Sequence, residues 1–388
     1  MQVYNNPRDG KPSSNGPQLV TAYYNKKAID TASKEMYFTQ LADMQTMPRN
    51  SGKVIEQMVL IPILDDRNIN DQGIDATGKK IKDGNLYGSS RDIGTVTKMM
   101  PKLDENGLRV NRVGWVRQAI KGTMQNFGFF TEYSRDLVDF DTDAQLLTWV
   151  HSEMVETASR NTEDMIQIDL LNAAGIVKYS GSAKSNAEMD QKSLVGYNDL
   201  ARLSVDLDNT RTPKNTKVIV GSTKLDTRTV NAARVMFVGS ALIQHLRKMK
   251  DYHNDPAFLS IEKYADSGTI LRGEVGTVDQ FRIIVVPEMM HWAGAGKNVG
   301  GATNVHTTDD KVDIFPMLVV GSEAFTTIGF NTSGKNTKFE VIHKRPNAEN
   351  ANHMDPFGKR GFMSIQWWYG FMVQRPERIA LIKTAVEI

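Results

Sequence analysis

The stretch Asp141–Ala174, DTDAQLLTWVHSEMVETASRNTEDMIQIDLLNAA, contains neither proline nor glycine. Leu147, Val150, Met154, Ala158 and Met165 recur at steps of three, four and seven, and Leu146, Val155, Ile166 and Leu170 widen that side into a broad apolar stripe. The spacing predicts one long helix with a face turned to a core. Thr142 and Gln145 make a capping-box start, Asp141 and Asp143 suit the positive end of the helix dipole, and Gly175 supplies the stop. A helix of this length runs roughly 50 Å, more than the diameter of an ordinary compact domain. The remaining elements are therefore expected to be strung along a spine.

Composition narrows what those elements do. The chain has 388 residues, 40% hydrophobic and 24% charged, enough for two or three packing units. Its 47 basic and 45 acidic side chains leave a net charge of +2, too weak a field to grip phosphates or an anionic membrane surface without specific contacts. Cysteine is absent, which excludes disulfide staples, thiolate zinc sites and thiol nucleophiles. Met1–Gly16 is polar and lacks the apolar centre of a signal peptide, and no window of 18 apolar residues occurs. A soluble protein made inside the cell is expected, with no membrane partner.

Taken in order, residues 1–25 form an extended arm too polar to build a core, which a neighbour would have to order. Lys26–Met44 carries apolar residues at helical spacing and predicts a short amphipathic helix outside the main core, stopped by Pro48. Lys53–Leu64 and Arg112–Phe130 are β-rich and predict the two strands of one long hairpin; in the second, Val116, Ile120 and Met124 alternate with Arg117, Lys121 and Gln125. Roughly 45 residues rich in Asp, Asn, Gly and Lys separate them, far more than a hairpin needs. An isolated two-stranded ribbon is marginally stable, so this one is expected to lie on another molecule.

Beyond the spine, Gly175–Gln191 reads as a loop and Ser193–Leu207 as a second helix, closed by Pro213. An α/β segment follows, with a buried strand at Lys217–Val220, a helix over Asp226–Lys250, and strands at Gly276–Pro287 and Ile314–Val320. Phe339–His343 leads back, and Gly361–Val373 with Arg378–Ile388 form a final aromatic pair of strands expected to close the core of the spine.

Motifs that suggest chemistry are incomplete. Asp66, Asn68 and Asn70 imitate the start of a calcium loop, but Asp71 stands where the turn needs glycine and Thr77 where it needs a bidentate Glu. Gly294, Gly296 and Lys297 glance at a phosphate loop without its spacing, and Asn298 replaces its Ser or Thr. The histidines, at 151, 245, 253, 291, 306, 343 and 353, show no metal-ligand spacing, and no GxSxG elbow exists. Trp367, Trp368, Tyr369 and Phe371 could stack bases, but they lie in a β run without a basic cluster, where aromatics pack a core. No catalytic, metal or cofactor-binding residue is assigned, and no cofactor is expected.

Asp355-Pro356-Phe357-Gly358-Lys359-Arg360-Gly361-Phe362, Gln366-Trp367-Trp368-Tyr369 and Arg375-Pro376-Glu377-Arg378-Ile379-Ala380 together resemble the C-terminal signature of tailed-phage major capsid proteins, in the enquatrovirus (phage N-four type) branch. Leu41-Ala42 with Pro48-Arg49-Asn50-Ser51-Gly52-Lys53-Val54 is similar to that family's entry into its hairpin. Gly273–Pro287 and Phe315–Phe325 are similar to its later strands, and residues 65–110 are unmatched. The resemblance implies an α+β fold of the Hong Kong 97 type. Its parts are an N-arm (1–51), an extended loop (52–130), a peripheral domain (131–216 with 341–388, spine helix 141–174) and an axial α/β domain (217–340). The chain before the hairpin is too short for a cleavable scaffolding region. Lys79, Lys80 and Lys82 lack the partner motif that a Lys–Asn cross-link would need.

The implied function is structural, with copies of the chain associating as pentamers and hexamers into an icosahedral shell around double-stranded DNA, without sequence-specific contacts. Portal, scaffolding and decoration proteins are further partners the resemblance admits, and the shell would assemble in a bacterial host's cytoplasm. An encapsulin-like compartment and a soluble α/β enzyme with its site at Gly294–Gly301 are the alternatives.

Overall fold

The structure, a computed structural model, describes residues 36–41, 43–47, 52–61, 74–75, 92–100, 102–103, 105, 109–110, 115, 117–140, 146–219, 227–230, 234–263, 271–300, 304–330, 339–351 and 353–388. Its first half contains β1 (Asp43–Met47), β2 (Val54–Leu60), β3 (Ile74–Asp75), α1 (Ile93–Met99), β4 (Arg109–Val110), β5 (Arg117–Ser134), α2 (Arg135–Phe140), α3 (Leu146–Ala173) and β6 (Ile176–Tyr179). Then come α4 (Tyr197–Asn209), β7 (Thr216–Ile219), β8 (Thr227–Val230), β9 (Arg234–Gly239), α5 (Ile243–Lys248), β10 (Phe258–Ser260), β11 (Glu274–Val278) and β12 (Phe281–Val286). The last part holds β13 (Thr307–Thr308), β14 (Lys311–Val312), β15 (Phe315–Val320), β16 (Phe325–Phe330), β17 (Phe339–Lys344), β18 (Arg360–Val373) and β19 (Ile379–Thr384).

The expected spine is α3, 28 residues in its described part; the Thr142–Gln145 cap lies outside the described residues. Met154, Ala158, Thr162, Ile166 and Leu170 are buried at steps of four. Four residues overshoot a turn by about 40°, so the buried stripe winds around the helix and meets two sheets. Its core accordingly joins Met363, Ile365 and Trp367 from one sheet to Phe237, Ile284, Val320 and Ile379 from the other. The stop works differently from the expectation. Gly175 is not in the left-handed region; a Cβ there would sit 2.4 Å from the Pro376 carbonyl oxygen, so close approach is what requires glycine.

The first sheet runs β1-β16-β18-β5-β2, with β17 also paired to β18. β18 is its axis: one edge carries β17 along Phe362–Trp367 and then β16 along Gly370–Val373, while the other pairs with β5 from Arg360 to Phe371. Burial alternates along β18, turning Met363, Ile365, Trp367 and Tyr369 inward.

The second sheet runs β10-β11-β12-β9-β15-β19-β6. β9 is buried at every residue and lies parallel to β12 and antiparallel to β15. Val235 and Phe237 join the core of α3, whereas Met236 and Val238 join that of α4, with Leu200, Leu203 and Leu207. Helices on both faces explain the unbroken apolar run Val235–Val238. They also explain why the helix expected over Asp226–Lys250 is mostly absent: β8 and β9 occupy its first part, and among the described residues only Ile243–Lys248, after a 3-10 turn at Ser240–Leu242, is α-helical. Gly175–Gln191, expected as a loop, contributes the edge strand β6, parallel to β19. The two C-terminal strands are not paired with each other, since β18 belongs to the first sheet and β19 to the second.

Two ion pairs, each with a buried member, tie into this core. Arg234 is fully buried and donates to Asp208 Oδ1 at 2.6 Å and to the Thr212 carbonyl at 2.8 Å, tying the end of α4 to β9. Arg282 lies 3.5 Å from the buried Glu274 carboxylate. No described helix is long and apolar enough to cross a membrane.

Candidate assembly surface

β5 changes partner along its length. From Thr123 to Ser134 it pairs with β18, and from Arg117 to Thr123 it pairs with β2. Beyond Thr123 the described chain is thus the expected two-stranded ribbon, although its inner half is not isolated but built into the first sheet. Both faces of the ribbon meet solvent. Val54, Met58 and Leu60 line one face, with Glu56 bonded to Lys121 at 2.8 Å across the strands, and Val59 lies on the other. Met58 and Leu60 are 60% and 65% exposed, while Ile55 alone in β2 is half-buried. The Lys121 ammonium is held above its usual range by its hydrogen bond to Glu56. Among the described residues β2 pairs only with β5, so its outer edge presents unpaired backbone groups beside exposed apolar side chains. An edge of that kind is a template for pairing or packing with another chain.

At the other end of this region the chain is anchored. Glu163 of α3 is buried, and its carboxylate accepts the backbone N–H groups of Phe38 and Thr39 and the Thr39 hydroxyl. Phe38 is buried with its ring 4.5 Å from Phe237, and Tyr37 lies over Gly273, whose Cβ would be 2.4 Å from the Tyr37 ring. This corrects the expectation of an amphipathic helix outside the core. The described part of Lys26–Met44 is a short 3-10 turn at Thr39–Leu41 followed by β1, which pairs in parallel with β16. A single buried carboxylate on the spine holds the turn, and neither its target nor its burial follows from local periodicity.

The remaining candidates find ordinary structural places. The N–H groups of Gly294, Gly296, Lys297 and Val299 donate to Asp313 Oδ1 and to the carbonyls of Val312, Met189 and Asp310, so a phosphate would find them already engaged. Trp367 is buried among Phe127, Phe129 and Phe339, with ring centroids 5.9 to 6.1 Å away, the packing role expected. His245 bonds the Val195 carbonyl at 2.7 Å, His291 stacks on Phe315, and His343 Nε2 lies 2.6 Å from the Tyr133 hydroxyl. No group of three or more metal-ligating side chains occurs among the described residues. Asp66, Asn68 and Asn70 lie outside them.

No family model matches the chain. The major capsid protein of Pseudomonas phage KPP21 is 54% identical over 386 residues, covering 99% of this chain and 97% of its own. The capsid of Ralstonia phage GP4 aligns over 96% of this chain and 97% of its own with a TM-score of 0.58 at 10% identity. The capsid of cyanophage P-SCSP1u aligns over 97% of both with a TM-score of 0.53 at 12% identity. Those two likenesses speak for the fold, which is that of phage capsid proteins. Identity of 54% along the full length speaks for more than the fold: this chain belongs to the phage major capsid protein family and is a structural protein, not an enzyme.

Proposed function

We propose that copies of this chain associate as pentamers and hexamers into an icosahedral shell around double-stranded DNA, and that the ribbon of β2 and outer β5 is a principal contact between them. The observation that carries this is the exposure of Met58, Val59 and Leu60 on both faces of a strand pair with an open edge. Apolar area returns roughly 25 cal/mol per Å² when covered, so many modest contacts suffice to close a shell. The near-neutral net charge of +2 fits a container whose wall does not grip its genome.

In finer terms the fold is proposed to be of the Hong Kong 97 type, in the enquatrovirus branch. Its parts are an N-arm at 1–51, an extended loop at 52–130, a peripheral domain at 131–216 and 341–388, and an axial domain at 217–340. Strands cross that division: β6 and β19 from the peripheral stretches join the second sheet, and β16 from the axial stretch joins the first. Portal, scaffolding and decoration proteins are the proposed further partners, and the host cytoplasm the place of assembly. Negative-stain microscopy of the overexpressed full chain tests the shell. Regular particles are expected, and Met58→Glu with Leu60→Glu should abolish them while leaving a folded subunit. A lone subunit that never assembles, even when concentrated, would overturn the proposal.

A further inference from the structure

Between α3 and the paired strands β5 and β18 lies an open cleft of about 350 Å³, near the lower bound of ligand-sized pockets. Phe127, Met165, Ile168 and Phe371 supply its apolar lining, and Asp169 and Tyr369 its chemistry. Tyr369 donates to Asp169 Oδ2 at 2.8 Å, and among the described residues no hydrogen bond reaches Oδ1. Asp169 is half-buried, and among the described residues no cation pairs with it; burial pushes its carboxyl up, opposed only by the Tyr369 hydrogen bond. The buried carboxylates are compensated within the chain, Glu274 by Arg282, Glu163 by three donors around Phe38 and Thr39, and Asp313 by the Gly294 N–H and the Thr308 hydroxyl. Asp169 is instead left with Glu163 as a further negative neighbour of the same phenol. A desolvated carboxylate beside apolar walls is the complement of a long basic side chain, whose stem seeks apolar cover and whose head seeks a counter-charge.

We infer that this cleft receives a lysine or arginine side chain from a neighbouring copy of the chain, with its stem against Phe127, Met165 and Ile168 and its head on Asp169. The inference rests on the shell reading, which supplies the neighbouring copy. The exposed ribbon carries Arg117 and, already paired with Glu56, Lys121, and the stretch leading to it holds Lys79, Lys80 and Lys82.

Asp169→Asn in the full chain keeps the size and the acceptor for Tyr369 but removes the charge. The free subunit should unfold at the same or a higher urea concentration, since a charge that burial penalises is gone. Its shells should disassemble on the order of tenfold faster and lose part of their salt sensitivity. Asp169→Lys should prevent shell formation. In shells co-assembled from isotopically light and heavy copies, a carbodiimide should join Asp169 to a lysine of the opposite label; an arginine occupant would leave no cross-link but the same loss of shell stability. Asp169→Asn shells that disassemble at the unaltered rate would overturn the inference while leaving the shell intact. So would a subunit weakened as much as its shell, which would assign the carboxylate to the chain's own folding. If the unaltered chain formed no shells, the reading beneath would fall first.

Discussion

β9 and β2 are similar strands with opposite fates. β9 reads Arg-Val-Met-Phe-Val-Gly and is buried at all six positions; β2 reads Val-Ile-Glu-Gln-Met-Val-Leu and is exposed at all but one. Both contain the β-branched and apolar residues that make strands. The difference lies in what flanks them. β9 has a paired strand on each edge and a helix over each face, whereas β2 has one partner edge and solvent on both faces. One strand stabilises the subunit; the other leaves its apolar area to solvent, where a neighbouring copy is proposed to cover it. Substitutions should therefore separate cleanly into those read in subunit unfolding and those read in assembly. The largest subunit effect belongs to the closed sheet: Phe237→Ala empties space beside Phe38 and α3 and should cost about 3–5 kcal/mol in urea unfolding, with assembly lost only because the subunit is lost.

Glu163 sharpens the comparison, because it joins a segment near the ribbon to the closed core. Glu163→Ala leaves the Phe38 and Thr39 N–H groups without their acceptor in a buried site, a loss of about 1.5–3 kcal/mol. Limited proteolysis should then cut near residues 36–47 before it cuts either sheet. Cutting at the rate of the unaltered chain would mean that Phe38 and β1 hold the segment without the carboxylate.

The features legible in the sequence were those with one dominant neighbour. The periodicity of α3, the alternation of β18 and the pairing of β2 with β5 each follow from a single face turned to a core or from one partner strand. Where two neighbours compete, pattern fails: Val235–Val238 is apolar throughout because both faces are covered, so period cannot separate strand from helix. β6 was missed because Ile176–Tyr179 is a four-residue edge strand whose register comes from β19, some 200 residues away. Glu163 and Arg234, buried and charged, give no local signal, since their partners lie 124 and 26 residues off. The exposed ribbon was legible as an unfinished structure, and the resemblance at the C-terminal strands supplied what finishes it.

At the ribbon the expected subunit effect is small. Met58→Ser with Leu60→Ser removes side chains that touch mostly water, so the urea midpoint of the free subunit should stay within about 0.5 kcal/mol of the unaltered chain. Shell yield in sedimentation should nevertheless fall sharply. Removing residues 66–108 tests the same region from its far end, and impaired or altered shells from a folded subunit are expected. Unchanged shells in either case would move the principal contact elsewhere.

The smallest effect is a pH dependence at the end of β5 farthest from the ribbon. Tyr133 leans across Gly361, where a Cβ would come within 2.7 Å of its ring, and its hydroxyl reaches His343 two strands away at 2.6 Å. Burial first, then the nearby Arg345 and His151 side chains, holds the His343 imidazole below its ordinary 6.5. Burial also pushes the Tyr133 phenol up, so it remains protonated. The folded chain thus favours the neutral ring and the unfolded chain takes up the proton first. Stability from this group is full above 6.5, falls as the pH drops from there toward the lowered folded value, and levels off below it. Subunit unfolding compared at about pH 8 and about pH 5 should show a modest loss at the lower value, and His343→Gln should flatten it. The steeper loss at stronger acid should persist in that variant. It arises from carboxylates such as Asp208, which its hydrogen bond to Arg234 holds below 3.8 and whose contribution disappears only as pH falls through that lowered value. A His343→Gln chain that keeps the step between pH 8 and 5 would assign it to another group.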